Sequence, residues 1–164
     1  MINTVFLSLG SNLGDKTENI KKAIAEINSQ IGAICNTAKF YETEPWGFEN
    51  DSWFLNTAVK LKTEFSAKQT LKKCLSIENQ LGRYRNNISK GYSSRIIDID
   101  ILFFNNELIN LPDLIIPHPY IKDRKFVLYP LMDITTSYIH PVLKKSIREL
   151  VNECTDKTII KEIR

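Results

Sequence analysis

Apolar and polar positions alternate with two distinct periods along this chain, and the switches between them mark its elements. Val5-Phe6-Leu7-Ser8-Leu9 reads as a short strand that ends at the polar, glycine-containing stretch 10–17. Ile20, Ala23, Ile24, Ile27 and Ile31 then keep the i, i+3, i+4, i+7 spacing of an amphipathic helix. Asp15 and Glu18 stand where a capping box would begin it. Ile34 to Tyr41 reads as a second strand, and residues 42–51 as a loop broken by Pro45 and Gly47. Trp53 to Thr63 is a third strand, with Leu55, Thr57, Val59 and Leu61 on one face and Phe54, Asn56 and Ala58 on the other.

Ser66 is placed to cap a second helix that runs to about Leu81 and stops at Gly82. Its expected inner stripe is Leu71, Cys74, Leu75 and Glu78. A carboxylate on that face opposes the helix dipole, so an arginine partner is expected. A second long loop, polar and basic, covers residues 83–94. Arg95 to Phe104 is the strongest strand signal of the chain, rich in β-branched and aromatic residues. Asn105-Asn106-Glu107 turns the chain. The stretches Leu114–Tyr120 and Ile121–Leu131 follow, to which the pattern assigns no element. Lys144 to Val151 reads as a short helix, and Thr155 to Arg164 as a final strand or a frayed end.

The last-named strong strand carries the first chemistry. Asp98 and Asp100 share one face while Ile97, Ile99 and Ile101 back them on the other. Two carboxylates about 6–7 Å apart along a strand repel each other unless a cation meets them. Mg²⁺ suits them, because it is held by one or two carboxylates plus substrate phosphates. A solvated face with Lys or Arg partners is the alternative on the strand alone.

At 164 residues and 43% apolar, the chain has room for one core and is expected to form a single domain, residues 1–164. A formal charge of +3 is too weak to argue for nucleic acid by itself. The arginines say more: four of six (Arg83, Arg85, Arg95 and Arg124) fall around the Asp pair in a chain with sixteen lysines. Arginine offers planar, bidentate contacts to phosphate or carboxylate. A basic loop abutting two carboxylates suits phosphoryl transfer, although a solvated hairpin tip also fits. Exposed aromatics near arginines would also suit a nucleic-acid binder, but an acidic pair amid the basic surface would repel phosphate without metal.

Cys35, Cys74 and Cys154 form no metal-like spacing and read as reduced, mostly buried thiols. Met1-Ile2-Asn3-Thr4 lacks a basic leader region, and no apolar run approaches membrane-spanning length. A cytoplasmic protein is expected. Gly10 to Thr17 almost spells a P-loop, but Asp15 stands where backbone amides would cradle phosphate. Gly10, Ser11 and Asn12 remain candidates to line a pocket at the strand end. Asn56 needs hydrogen-bond partners, from a ligand or a loop backbone alike. His118 between Pro117 and Pro119 would present its ring from a rigid turn, whereas His140 has no such company.

Seven blocks in order resemble the 6-hydroxymethyl-7,8-dihydropterin pyrophosphokinases. They are Leu9–Asp15, Tyr41–Gly47, Phe54-Leu55-Asn56, Gly82–Arg85, Arg95–Leu102, Pro117-His118-Pro119 and Arg124–Leu128. The resemblance implies a ferredoxin-like α+β sandwich, an antiparallel sheet with helices on one face. It implies transfer of pyrophosphate from ATP to the pterin hydroxymethyl oxygen, leaving AMP, in folate biosynthesis. Asp98 and Asp100 would bind two Mg²⁺ ions and, with Arg83 and Arg95, form the catalytic set. Glu78, Arg83, Arg85, Arg95, Ile99, His118 and Arg124 would line the ATP site. Thr43, Glu44, Trp46, Asn56 and Asp98 would hold the pterin, with Phe54 and Phe126 flanking its ring. ATP and the pterin are the implied partners, for a monomer that engages neither nucleic acid nor membrane. Departures from the family pattern are Ser93-Ser94 in place of a frequent Gly-Pro, Tyr92 as the nearest aromatic to a closing Trp, and Asp113 where some members carry an arginine.

Overall fold

The computed structural model describes residues 1–44, 52–82 and 95–163. Strand β1 (Asn3–Ser11) leads to helix α1 (Lys16–Gln30), and β2 (Ala33–Thr37) and β3 (Phe40–Thr43) lead to β4 (Phe54–Thr63). Helix α2 (Ala67–Gln80) and β5 (Asp98–Phe104) complete a βαββαβ core. The strands pair antiparallel in the order β5-β1-β4-β3. That is the ferredoxin-like arrangement, with the β2–β3 unit counted as one strand position.

The single strand expected over Ile34 to Tyr41 is two strands, both on the same edge of β4. The chain breaks at Ala38 and Lys39, whose carbonyl oxygens both lie 3.1 Å from the Thr57 hydroxyl. A fully buried threonine thus satisfies backbone groups that the ladder no longer reaches.

Helix α1 starts where expected, with the Asp15 side chain accepting from the Glu18 N–H. Ile20, Ala23 and Ile27 are its fully buried stripe. Each such Ile contributes about 1.5–3 kcal/mol relative to an exposed position. Ser66 and Gln69 form a reciprocal capping box on α2. The buried face of α2 is Ala67, Thr70, Cys74, Ile77 and Glu78, rotated from the expected stripe, so Leu71 and Leu75 are only half-buried.

Helices cover both faces of the sheet, not one. Val5, Leu7 and Leu9 of β1 join Leu55, Val59, Leu61, Ile99 and Ile101 beneath α1 and α2. Phe6, Leu102 and Phe103 form a second core with α3 (Lys125–Ile134) and α4 (Ile147–Glu153). A β-bulge beside Phe6 and Leu7 turns Leu102 and Phe103 together toward this second core. The stretch Ile121–Leu131, without an assigned element from sequence, supplies most of α3. Pro130 lies inside that helix and removes a backbone donor, which hides the helical period.

Two smaller elements were also unassigned. Strands β6 (Ile109–Leu111) and β7 (Leu114–Ile116) form a hairpin beside β5. The last stretch is a strand, β8 (Ile160–Ile163), on the free edge of β3. No helix among the described residues is long and apolar enough to cross a membrane. The thiols are free, but Cys35 is exposed, not buried, because β2 is an outer strand.

His140 is a core residue. It is 5% exposed, meets the Phe103 ring edge-on, and its Nδ1 accepts from the Val142 and Leu143 N–H groups. Burial holds its pKa below the usual 6.5. The unfolded chain then binds more protons near that pH, so this contribution to stability is present above it and is lost as pH falls. Urea unfolding should therefore show lower stability at pH 5 than at pH 7, with the His140 ring more than half neutral at pH 6.5 by NMR. A ring midpoint at or above 6.5 would contradict the assignment.

Gly32, just before β2, lies hard against β4, since a Cβ there would sit 2.0 Å from the Lys62 carbonyl oxygen. Gly32→Ala should cost about 3 kcal/mol or more in chemical denaturation, the range of a forced backbone shift.

Candidate active site

One row of residues crosses three strands. Asp98 on β5 lies opposite Gly10 on β1, and Gly10 lies opposite Asn56 on β4. Strand spacing puts Asp98 and Asn56 about 10 Å apart. Ser8 and Asp100 form the next row on the same face, which is the face that carries α3. A Cβ on Gly10 would stand 2.8 Å from Asn56 Oδ1 and 3.8 Å from the Phe54 ring. Glycine is therefore what lets the Asn56 carboxamide lie flat across β1.

Asn56 is 4% exposed, and its Nδ2 donates to the Thr43 hydroxyl at 2.8 Å. Within the protein, the Nδ2 partner is a side chain on the adjacent strand, not a loop backbone. Thr43 is itself buried, two residues along β3 from Tyr41, the register partner of Asn56, and opposite Phe54. Glu44 follows it, with Oε1 accepting from the Ile159 N–H at 2.9 Å.

At the carboxylate end, Arg95 NH1 donates to Asp98 Oδ2 at 2.8 Å, and both side chains are roughly four-fifths buried. Arg95 is fixed from its backbone as well. Its N–H donates to Asn12 Oδ1, and its carbonyl accepts from the Asn12 N–H at 2.9 Å. The Asn12 carbonyl in turn accepts from the Ser52 hydroxyl at 2.7 Å. Asn12, expected only to line a pocket, thus joins the start of the Asp strand to the segment that leads into β4.

His118 hangs from β5 through its N–H, which donates to the Leu102 carbonyl at 3.0 Å. Its Nδ1 accepts from the Tyr120 N–H at 3.2 Å, so the neutral ring carries its proton on Nε2. Burial lowers the His118 pKa from 6.5, opposed by the charge of Asp98. Arg124 stands at the start of α3, 4% exposed, with its guanidinium carbon 4.7 Å from the Tyr120 ring centre and 5.5 Å from that of Phe126. Burial lowers its pKa to about 10, which still leaves it charged at neutral pH. Two flanking rings compensate part of the lost hydration.

Glu78 and Ile99 face the other way. Glu78 reaches from α2 with 1% exposure, and its Oε1 accepts from the Ile99 N–H at 3.2 Å. The Ile99 side chain lies in the core beneath α1 and α2.

The family described as 7,8-dihydro-6-hydroxymethylpterin-pyrophosphokinase matches residues 6–136. The chain belongs to this family. The pterin pyrophosphokinase of Aquifex aeolicus is 38% identical over 154 residues, covering 94% of either chain. A folic acid synthesis protein of Pneumocystis carinii is also 38% identical, over 155 residues that make up 94% of this chain and 20% of that protein. In the crystal structure of Plasmodium falciparum HPPK-DHPS with pteroate, the matching part has a TM-score of 0.75 at 21% identity. It covers 93% of this chain and 44% of that one, a likeness of fold.

Of the positions singled out by resemblance to the pterin pyrophosphokinases, Asp98, Asp100, Phe54, Asn56 and Thr43 share the α3 face. Arg124 and Phe126 meet that face from the start of α3, and His118 joins it from β5. Trp46, Arg83, Arg85 and Tyr92 lie outside the described residues, as do the central parts of both long loops. Sequence reasoning did not single out Tyr120, which supports both Arg124 and His118. Its only signal was proximity to Pro119.

Asp98 and Asp100 suit Mg²⁺. Among the described residues no group of three or more His, Cys, Asp and Glu gathers into a metal cage. An ion that keeps its waters and takes phosphate oxygens needs no such cage.

Thr43→Val should leave the buried Asn56 Nδ2 without its acceptor and cost about 1–3 kcal/mol in denaturant titration. Thr43→Ser should recover most of it. Equal stability of the Val variant and the wild type would show that this bond contributes nothing.

Proposed function

We propose that this chain catalyses ATP-dependent pyrophosphorylation of 6-hydroxymethyl-7,8-dihydropterin in folate biosynthesis, as a single-domain monomer in the cytoplasm. The row Asp98–Gly10–Asn56 carries the proposal. It supports a cation-binding role for Asp98, which lies across β1 from a buried amide on the same face of the sheet. Free thiols, one of them exposed, are consistent with a reducing compartment.

In this reading Asn56 and Thr43 read the polar edge of the pterin, and Phe54 and Phe126 flank its ring. A flat heterocycle rich in donors and acceptors fits an apolar slot with a few placed polar groups. Glu44 and Trp46 would complete the slot. Arg95, Arg124 and His118, with Arg83 and Arg85, would bind ATP phosphates, and Glu78 would hold β5 in register through the Ile99 backbone. His118 would offer its Nε2–H as a neutral donor, which suits a phosphate oxygen without demanding protonation of a buried ring.

Asp98 and Asp100 would hold Mg²⁺, two ions in the full complex, which would neutralise triphosphate charge and hold the β-phosphorus open to in-line attack. The pterin hydroxymethyl oxygen forms the new bond to the β-phosphorus and gives up its proton to solvent water, as the bond from that phosphorus to the α–β bridging oxygen breaks and that oxygen stays with AMP. AMP leaves. The short Arg95–Asp98 ion pair supports a role for this guanidinium in balancing phosphate charge beside Asp98.

The test is to mix the protein with ATP, Mg²⁺ and the pterin and to identify the nucleotide product. AMP formed only with pterin and Mg²⁺ together is the expected result, and ADP would overturn pyrophosphoryl transfer. Asp98→Ala and Asp100→Ala should each lower turnover by at least about 100-fold with an unchanged circular dichroism spectrum. Near wild-type turnover in either variant would remove that carboxylate from the mechanism.

A further inference from the structure

The chain continues past residue 136, where the family match ends, and its last segment returns to the pterin side of the site. Helix α3 begins at Lys125 without a cap from its own N-cap residue, Arg124. The cap comes from the tail. Asp156 Oδ2 accepts from the Lys125 N–H at 3.0 Å, and Asp156 Oδ1 accepts from the Thr158 N–H at 2.9 Å. The Lys125 ammonium closes the ring by donating to the Thr158 carbonyl at 3.2 Å. A carboxylate at this place satisfies an orphan N–H and complements the helix dipole.

Three residues on, the same segment grips the opposite wall. The Ile159 N–H donates to Glu44 Oε1 at 2.9 Å, and the Glu44 N–H donates back to the Ile159 carbonyl at 3.3 Å. Strand β8 then pairs with all of β3, with Ile160 opposite Thr43. Lys161 places its ammonium 5.3 Å from the centre of the Trp53 ring, next to Phe54. So one short stretch bonds to the residue before Phe126, to the residue after Thr43, and to the residue before Phe54.

We infer that residues 156–163 are a brace that sets the separation between the start of α3 and the β3–β4 edge, and thereby the width of the pterin slot. This rests on the reading of Thr43, Phe54 and Phe126 as the pterin walls. Asp156 is a positioning residue; it acts through Lys125 on Arg124 and Phe126. The Asp carboxylates and Asn12–Arg95 connection are built from β1 and β5, which the tail does not touch in these bonds. The brace therefore acts on the pterin and leaves the metal end unchanged.

Asp156→Ala tests this on the full chain. Hydrogen exchange should accelerate at the amides of residues 125–128 and 42–44 by tenfold or more, with α1 unchanged, since only the braced elements lose a tether. KM for pterin, and Kd for fluorescent 6-hydroxymethylpterin with a non-hydrolysable ATP analogue and Mg²⁺, should rise roughly tenfold, the scale of a small misplacement. KM for ATP should rise less than KM for pterin, because Arg124 alone among the phosphate-binding residues adjoins the brace. Asp156→Asn, which keeps one acceptor, should recover part of the effect. A chain ending at Asp156 keeps the cap but loses β8, and should show the exchange change at 42–44 alone; it decides the matter if Asp156→Ala does not fold. Unchanged exchange at both walls, or equal rises in the two KM values, would overturn the brace. Wild-type protein that binds no pterin would instead count against the functional reading, and exchange would still decide the brace.

Discussion

Gly10 has no room for a side chain, and much of the site follows from that lack of room. Its missing Cβ lets the Asn56 amide lie across β1 with its oxygen turned toward that strand. On the other side of Gly10 stands Asp98, so the same residue separates an anionic edge from a neutral hydrogen-bonding one. The row is held by backbone ladders on both sides, which cannot slip by one residue without sending every side chain to the opposite core. Both faces of β1 are buried, Val5, Leu7 and Leu9 on one and Phe6 on the other, so the register is doubly enforced.

Around that row the electrostatics are arranged in pairs. Asp98 has Arg95 at hydrogen-bond distance, and His118 stays neutral because burial outweighs the pull of the Asp98 charge. Arg124 keeps its charge in spite of burial, supported by the faces of Tyr120 and Phe126. Cations that are buried but still charged cost free energy that an anionic ligand can offset, which is a property of binding sites more than of cores. Glu78 differs: it lies on the far face and steadies the strand behind the Asp pair.

Much of the architecture could be read in advance because the periodic signals were strong and local. The stripe of α1, the Asp15 and Ser66 caps and the two faces of β4 depend on nearest neighbours in sequence, and each appears where expected. Helix α3 escaped because Pro130 interrupts a run that is apolar nearly all round. The Ile34–Tyr41 segment read as one strand because nothing in its own residues reveals that the Thr57 hydroxyl receives the break. The helical layer on the second face was missed for the same reason. It answers a need created by Phe6, Leu102 and Phe103 together, and those residues are far apart in sequence.

The residue types and spacings of this chain determined its chemistry: Asp98 and Asp100 must share a strand face, and arginines cluster around them. Family membership was likewise legible in the ordered blocks. Only the tertiary structure decided which side chains meet across strands. Asn56 finds Thr43, Arg95 is fastened to Asn12, and the tail reaches Glu44 and Lys125. These bonds join residues from 13 to 115 positions apart. No local period encodes such meetings, because they depend on the register of a sheet whose order is set by burial on both of its faces.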